Sequence, residues 1–443
     1  MKKQDQNNAS RRDFVINSSL MAGGLMTAPL LSKANFFSGA EDTIKVAVVG
    51  CGGRGTGAAM QALSSKQNVK IVALCDAFKD NVDNCHKELT EEINNSIGEL
   101  AKRLDVPEER KFTGFDGYKK AIALADVVIL ATPPGFRPIH FEEAINQGKH
   151  VFMEKPVATD PAGVQKVLAT AAIAKQKKLN VVVGLQRHYQ NSYRELFKRK
   201  DLIGDITSMQ AWWDNDGVWT RQRKAGQTEM EYQMRNWYYF NWLCGDHITE
   251  QHIHNLDVIN WFKGGYPVKA QGFGGRQVRT SKEHGEIFDH HFVEFEYADG
   301  SILNSQCRHM PGTMSRVDEL LIGTKGRIAC GAAHIKDHSG KIIYQYDTKK
   351  ENNPYQTEHD ELFAAIAKGE YKFADAENGA KSTMTSILGR MATYSGQMVY
   401  WDKAIHSGID IHPKVYAWDA TPPVVPNADG SYPIAIPGIT KYS

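Results

Sequence analysis

Three groups of residues in this chain have the types and spacing to do chemistry. The first is Lys45-Val-Ala-Val-Val-Gly50-Cys-Gly52-Gly53-Arg54-Gly55. Its apolar, largely β-branched run reads as a strand buried on both faces, and it leads straight into G-x-G-x-x-G. Gly50 allows a tight turn, Gly52 lets the backbone approach a pyrophosphate, and Gly55 lets helix pack on strand. A helix over 56–65 would then aim its free N–H groups at phosphate. A second strand, Val69 to Leu74, ends at Asp76, where a carboxylate can bond ribose hydroxyls. The pattern predicts a dinucleotide site, and the acid favours NAD over NADP because it repels a 2′-phosphate. The second group is Glu154-Lys155-Pro156, at the end of an apolar run. A lysine acts as a base only when burial or nearby positive charge lowers its pKa. The third is Glu250-x-x-x-His254-x-x-Asp257 within residues 245–261. On one continuous helix, at about 100° per residue, Glu250, His254, Asp257 and Trp261 share a polar arc that His247 joins. Ile248, Leu256, Ile259 and Phe262 fall opposite, toward a core.

The elements around these residues alternate as strand and helix. Asn81–Leu104 reads as a polar helix and Phe115–Leu124 as a shorter one. Asp126–Ala131 reads as a third buried strand, stopped by Thr132-Pro133-Pro134. Phe141–Gln147 is helical with Gly148 as its cap, and His150–Met153 is a fourth strand. Pro161–Lys177 is helical and Leu179–Gly184 a fifth strand. This order means a doubly wound parallel sheet whose ligands bind beyond the carboxyl ends of the strands. Beyond residue 200 the pattern changes to strands at Ile206–Trp212, Val268–Phe273, Asp289–Tyr297, Ser301–Arg308, Glu319–Gly323 and Gly326–Cys330. Ala298-Asp-Gly300 is a hairpin signal. Helices follow at Glu358–Lys368 and about Asn378–Asp402. The expected fold is α/β, an N-terminal Rossmann sheet plus a C-terminal α+β domain with a large, mostly antiparallel sheet. The expected divisions are 1–40, 41–165, 166–410 and an extended, proline-rich tail over 411–443 that packs on the surface or on a neighbouring subunit.

Composition narrows the class further. The chain has 443 residues, 42% hydrophobic, and a formal net charge of +2, so no basic field recruits nucleic acid or anionic lipid. Cysteines 51, 75, 85, 244, 307 and 330 form no C-x-x-C pair, which predicts free thiols, not a disulfide framework. At the N-terminus, Lys2 and Lys3 precede Ser10-Arg11-Arg12-Asp13-Phe14-Val15 and a mildly apolar run, Ile16–Leu31. That resembles a twin-arginine signal for export of folded protein to the periplasm. The run is short and broken by Gly23 and Gly24, so no stable membrane anchor is expected. His247, Glu250, His252, His254 and Asp289-His290-His291 are all metal-ligand types, but no standard zinc spacing is met and no metal is expected.

Three motifs in order carry a family resemblance: the Gly50–Gly55 loop, Ala131-Thr132-Pro133-Pro134 with His140 leading to Glu154-Lys155-Pro156, and Glu250-x-x-x-His254-x-x-Asp257. Together they resemble the glucose-fructose oxidoreductase / inositol dehydrogenase (Gfo/Idh/MocA) family of NAD(P)-dependent sugar dehydrogenases, over roughly residues 43–400. The resemblance implies a cofactor site that includes Gly50, Gly52, Gly53, Arg54, Gly55, Asp76, Thr132, Pro133, His140, Glu154, Lys155 and Gln186. It also implies proton handling by Lys155, His254 and the acid four residues before it, Glu250 here where relatives usually carry Asp. In that reading His254 bonds the reacting hydroxyl and shares its proton with Lys155, while Glu250 orients the imidazole.

Aromatic residues crowd between 209 and 243, with arginines among them. Indole and phenol faces suit the apolar faces of sugar rings, which nominates Trp213, Trp237 and Tyr239 for substrate, with Arg187 and Asp257. Core packing or a subunit contact explains such a cluster equally well. The expected activity is oxidation or reduction of a small sugar, glycoside or polyol by a homo-oligomer. Without an external nicotinamide pool, the NAD would be loaded before export, stay bound and be regenerated in each cycle. The alternative is a glycosidase like those of glycoside hydrolase family 109, which cleave through transient C3 oxidation. That family carries a different distal motif and lacks Glu-Lys-Pro. A non-catalytic sugar-binding role is a third reading.

Overall fold

β1 (Ile44–Val49) is buried at every position except Lys45, as a strand in the middle of a parallel sheet must be. The structure is a computed structural model that describes residues 43–95 and 100–441. The arginine pair and apolar run read as an export signal lie outside the described residues. β1 feeds α1 (Gly53–Leu63), and the pattern repeats through β2 (Val69–Asp76), α2 (Lys79–Asn95), β3 (Lys111–Thr113), α3 (Gly117–Ala123) and β4 (Val127–Leu130). It closes with α4 (Arg137–Asn146), β5 (His150–Met153), α5 (Pro161–Gln176) and β6 (Val181–Val183). The six strands run in the order β3-β2-β1-β4-β5-β6, all pairs parallel. The chain reverses its direction of winding between β1 and β4, which opens a crevice at their carboxyl ends.

The boundary expected at residue 165 falls inside α5. The sheet continues to β6, so α5 and its strand belong to the nucleotide-binding half. The sequence reading also lacks β3, whose three residues are too few to show a period.

The second sheet comprises β7 (Ile206–Asn215), β8 (Lys269–Gly275), β9 (His290–Glu296), β10 (Ile302–His309) and β11 (Arg316–Gly323). It is completed by β12 (Gly326–Ala329), β13 (His334–Asp337), β14 (Ile342–Gln345) and β15 (Val399–Tyr400). Their order is β14-β13-β12-β11-β7-β10-β9-β8-β15. The β7–β10 pair is parallel and the other pairs are antiparallel. Burial alternates along β9 and β10, so one face meets the core and the other is partly open. β13, β14 and β15 escape the sequence reading because they are only four, four and two residues long, too short to show a period.

The chain also forms α6 (Glu229–Arg235), α7 (His247–Glu250), α8 (Ile253–Lys263), α9 (Pro354–Ala367) and α10 (Ala376–Ser395), the last of which meets strands of both sheets. α10 is buried along most of its length, and its Gly, Ala, Ser and Thr positions let both halves approach it closely. Thr383 Oγ1 accepts from the Val157 N–H (3.2 Å), and Arg390 donates to the Thr159 carbonyl (2.7 Å). One apolar core runs through both sheets, from Leu130 and Phe141 to Met209 and Phe295. The helix expected over 378–402 stops at Gly396, whose φ of 69° ends it in a left-handed cap. All six cysteines are free and buried.

Residues 411–441 contain no helix or strand, as expected of the tail, but they pack on their own chain. Tyr416 and Trp418 cover Phe115, and His412 Nδ1 lies 3.0 Å from the buried Asp160 carboxylate at the start of α5.

Two predictions follow from this packing. A Cβ on Gly55 would stand 1.8 Å from the Gly50 carbonyl oxygen. Gly55→Ala is therefore expected to cost at least about 1–3 kcal/mol, measured as a lower midpoint in chemical denaturation. For His412, burial lowers the imidazole pKa, but the hydrogen bond and charge of Asp160, with Asp410, outweigh it and hold the value above the ordinary 6.5. A raised folded-state pKa gives stability that is complete below about pH 6.5 and is lost as pH rises through the folded value. His412→Gln should then lower the melting temperature at pH 6 and change it little at pH 9.

Candidate active site

A cleft of about 1240 Å³ opens where the carboxyl ends of the parallel strands face the second sheet. Its floor is the glycine loop. A Cβ at Gly50 would lie 2.4 Å from the Ala131 carbonyl carbon, whereas a Cβ at Gly52 or Gly53 would meet nothing within 4 Å. The loop is thus tight against the sheet and bare toward the cleft, the shape a pyrophosphate requires at the start of α1. Asp76 stands at the end of β2, accepting from the Cys51 N–H (2.8 Å), the Phe78 N–H (2.9 Å) and Asn81 (3.0 Å). Burial raises its carboxyl above the ordinary value against the pull of those donors. Thr132, Pro133, His140, Glu154 and Gln186 also line the cleft. Burial, then the Arg137 charge, pushes the His140 imidazole down to about 3, so it is neutral. The residues present therefore fit a nicotinamide dinucleotide.

Lys155 and His254, a hundred positions apart, line this same cleft with Glu250. Lys155 Nζ donates to the Glu250 carbonyl (2.7 Å) and to its carboxylate (3.1 Å). Burial holds the Glu250 carboxyl above its ordinary value despite Lys155. His254 is 6% exposed, and burial followed by the Lys155 charge holds its imidazole far below 6.5. Its Nδ1 is buried without a hydrogen-bond partner among the described residues, and Trp213 stacks beside it at 5.8 Å between ring centroids. Glu250 was expected to orient the imidazole; it holds the lysine instead. Glu154 pairs with Arg54 behind the glycine loop and not with Lys155.

Several expected site residues lie elsewhere. Gly55 is buried beneath the loop, a packing position. The stretch 245–261 is not one helix: α7 ends at Glu250 and α8 begins at Ile253, so the polar arc divides. Asp257 is 1% exposed and accepts from Ser382 (2.8 Å) and Asn378 (2.9 Å) of α10 and bonds His188 (2.7 Å), joining elements behind the site. Arg187 turns to the other side of its strand end, where it pairs with the buried Glu319 and covers Tyr193. Tyr239 is buried, donating to the Val218 carbonyl (3.0 Å), while Trp237 reaches the cleft. Among the ligand-type residues, Asp246, His247 and His291 come together, but they are bonded to one another: His247 Nδ1 lies 2.8 Å and His291 Nε2 3.2 Å from the Asp246 carboxylate.

One contributor is missing from the sequence-based site, and a second, flagged there only as an aromatic and arginine-rich stretch, proves to be a wall of the cleft. Arg137 is 1% exposed and donates to the carbonyls of Thr132 (2.6 Å) and Glu154 (3.0 Å), tying the ends of β4 and β5 together. Its place in a proline-flanked, apolar stretch was the available hint. The segment 219–235 of the second half also walls the cleft, where Arg235 meets Asp80 across 155 positions.

Residues 44–185 match the family model described as an oxidoreductase family with an NAD-binding Rossmann fold. An inositol 2-dehydrogenase of Gluconacetobacter diazotrophicus is 28% identical over 244 residues, 54% of this chain and 60% of that protein. The chain thus spans about three-fifths of the length of the first curated relatives it matches. An aldose-aldose oxidoreductase from Caulobacter crescentus, solved with glycerol, shares the fold with a TM-score of 0.63 at 18% identity, covering 81% of this chain and all of that one. A scyllo-inositol dehydrogenase from Lactobacillus casei, solved with NAD(H) and scyllo-inositol, gives 0.60 at 21%, covering 82% of this chain and all of that one. The glycine loop and the strand order agree with the matched stretch, so residues 44–185 form a nucleotide-binding fold similar to that of the Gfo/Idh/MocA oxidoreductases.

Proposed function

We propose that the protein is an NAD(P)-dependent oxidoreductase that moves a hydride between a sugar, glycoside or polyol and a nicotinamide it keeps bound. The observation that carries this reading is the meeting of Lys155 and His254 in the cleft floored by the glycine loop. Bound nicotinamide supplies the hydride acceptor. The neutral imidazole of His254 accepts the carbinol hydroxyl proton as the C–H hydride leaves and the C=O bond forms. Lys155 spends two N–H groups on Glu250 and keeps a third to steady negative charge on the substrate oxygen. Trp213 offers an apolar ring face beside the imidazole. The carboxylate of Asp76 favours NAD over NADP by repelling a 2′-phosphate.

The reverse transfer onto a second carbonyl regenerates the cofactor, and a relative named for two aldoses supports such a redox-neutral cycle. The N-terminal arginine pair supports export of the folded, loaded protein to the periplasm. No described helix is long and apolar enough to cross a membrane. Phe273, 63% exposed and stacked on Phe292 across β8 and β9, supports homo-oligomer formation through the open sheet face. The glycosidase alternative draws on one observation, the buried carboxyl of Glu250 at the wall of the cleft, the residue type that serves sugar cleavage.

Mass spectrometry of the cofactor released on denaturation should find NAD(H), and a sugar or polyol should change its nicotinamide absorbance. A protein that neither carries nor binds a nicotinamide dinucleotide sinks the reading. Cleavage of aryl glycosides without added NAD would select the glycosidase alternative. Lys155→Met and His254→Asn are each expected to lower kcat by about a hundred-fold or more. The acid limb of the oxidation profile should lie below pH 6.5, because protonating His254 removes the base and its pKa is depressed. Lys155→Met should move that limb upward, since it removes a neighbouring positive charge.

A further inference from the structure

The end of the cleft beyond Asp76 has walls from both halves of the chain. On one side stand Phe78, Asp80 and Phe115, and on the other the segment from Trp219 to Arg235. The two sides are latched. Arg235 donates from both terminal nitrogens to Asp80 (2.8 Å each), and its guanidinium lies 3.6 Å over the Phe78 ring. A bidentate ion pair that also covers an aromatic face is a more directional contact than an ordinary surface pair.

The C-terminal tail holds the same segment from outside. Thr228 Oγ1 donates to the Trp418 carbonyl (2.6 Å), and Gln233 donates to the Val424 carbonyl (2.7 Å). The Tyr432 hydroxyl donates to Glu229 (2.5 Å) and accepts from Arg223 (3.1 Å), with its ring buried edge-on against Phe240. Trp418 also packs 5.0 Å from Phe78 and 4.6 Å from Phe115, so one tail residue touches both walls. The charge at this rim is uneven. Arg223 and Arg235 are paired with Glu229 and Asp80, whereas Arg221 lies over Trp219 and, among the described residues, no ion pair holds Lys224. Arg221 and Lys224 thus add positive charge to the lining of the cleft that the glycine loop floors.

We propose that residues 219–235, latched by Arg235 to Asp80 and pinned by the tail, form a second wall of the dinucleotide site. This wall encloses the adenosine-diphosphate half of the cofactor, and the cofactor leaves only when the latch opens. The inference rests on reading the cleft as a site that retains nicotinamide dinucleotide, and it assigns that retention to this chain's own second half and tail.

The test uses the full-length protein loaded with NADH and mixed rapidly with excess NAD+. Loss of energy transfer from the cleft tryptophans to reduced nicotinamide gives the release rate. Slow release from the parent protein is expected, sped about three- to ten-fold by Asp80→Asn or Arg235→Gln. The exchanged pair, Asp80→Arg with Arg235→Asp, should restore slow release. Tyr432→Phe and Thr228→Ala, which remove single hydrogen bonds from the tail, should speed release about two- to five-fold, and they decide the matter if a latch variant fails to fold. Slow release unchanged in every variant overturns the second wall and leaves the retained cofactor standing. Release within milliseconds from the parent protein, or no binding of NADH, overturns both.

Discussion

The contact on which the site depends is the one between Lys155 and Glu250. Each side chain is about one-tenth exposed, and they come from different halves of the chain, one from beyond the end of β5 and the other from the end of α7. Removing one partner of such a pair leaves a buried charge alone and costs on the order of 3–5 kcal/mol. The pair therefore fixes the separation of the two halves where hydride and proton have to move. His254 follows four residues later, in α8, and its neutral state is a consequence of the same arrangement, since burial and the lysine charge act on it together.

The supports behind this contact are polar and closely bonded. Asp246, directly before α7, adopts φ 68°, a conformation that costs a residue with a side chain about 1–3 kcal/mol. Its carboxylate offsets that cost by accepting from the Phe288 N–H (3.0 Å), the Tyr394 hydroxyl (2.6 Å) and the neighbouring histidines. A fully bonded buried carboxylate defines one geometry for the turn that presents Glu250. α10 completes the support, since Asp257 is bonded to Asn378 and Ser382 and Arg390 is bonded to the Thr159 carbonyl. The polar seam read along 245–261 divides: Glu250 and His254 face the cleft, Asp257 faces α10, and Trp261 packs on His188 and Phe197.

Much of the nucleotide-binding half was legible because its signals are local. A β-branched run, three glycines and an acid at the next strand end are each set by steric rules within a few residues, and the loop lies where those rules put it. The tryptophans were half legible. Trp213 and Trp237 reach the cleft, whereas Tyr239, two residues from Trp237, is turned into the wall by its bond to Val218. A short helical turn moves the side-chain direction by a third of a circle per residue, and sequence does not reveal its phase.

By itself the sequence determined the alternation of the main strands and helices in the nucleotide-binding half, the glycine cradle, the free cysteines and the candidate pair Lys155 and His254. Tertiary structure alone decided that Glu250 holds the lysine and not the imidazole, that Arg187 and Asp257 belong to buried networks, and that the tail lies across its own chain. The reason is the range of the interactions. Turn and strand preferences act between near neighbours, whereas a buried charge takes its partner from whatever the packed fold brings within hydrogen-bonding distance, here across 95 positions for Lys155 and 132 for Arg187.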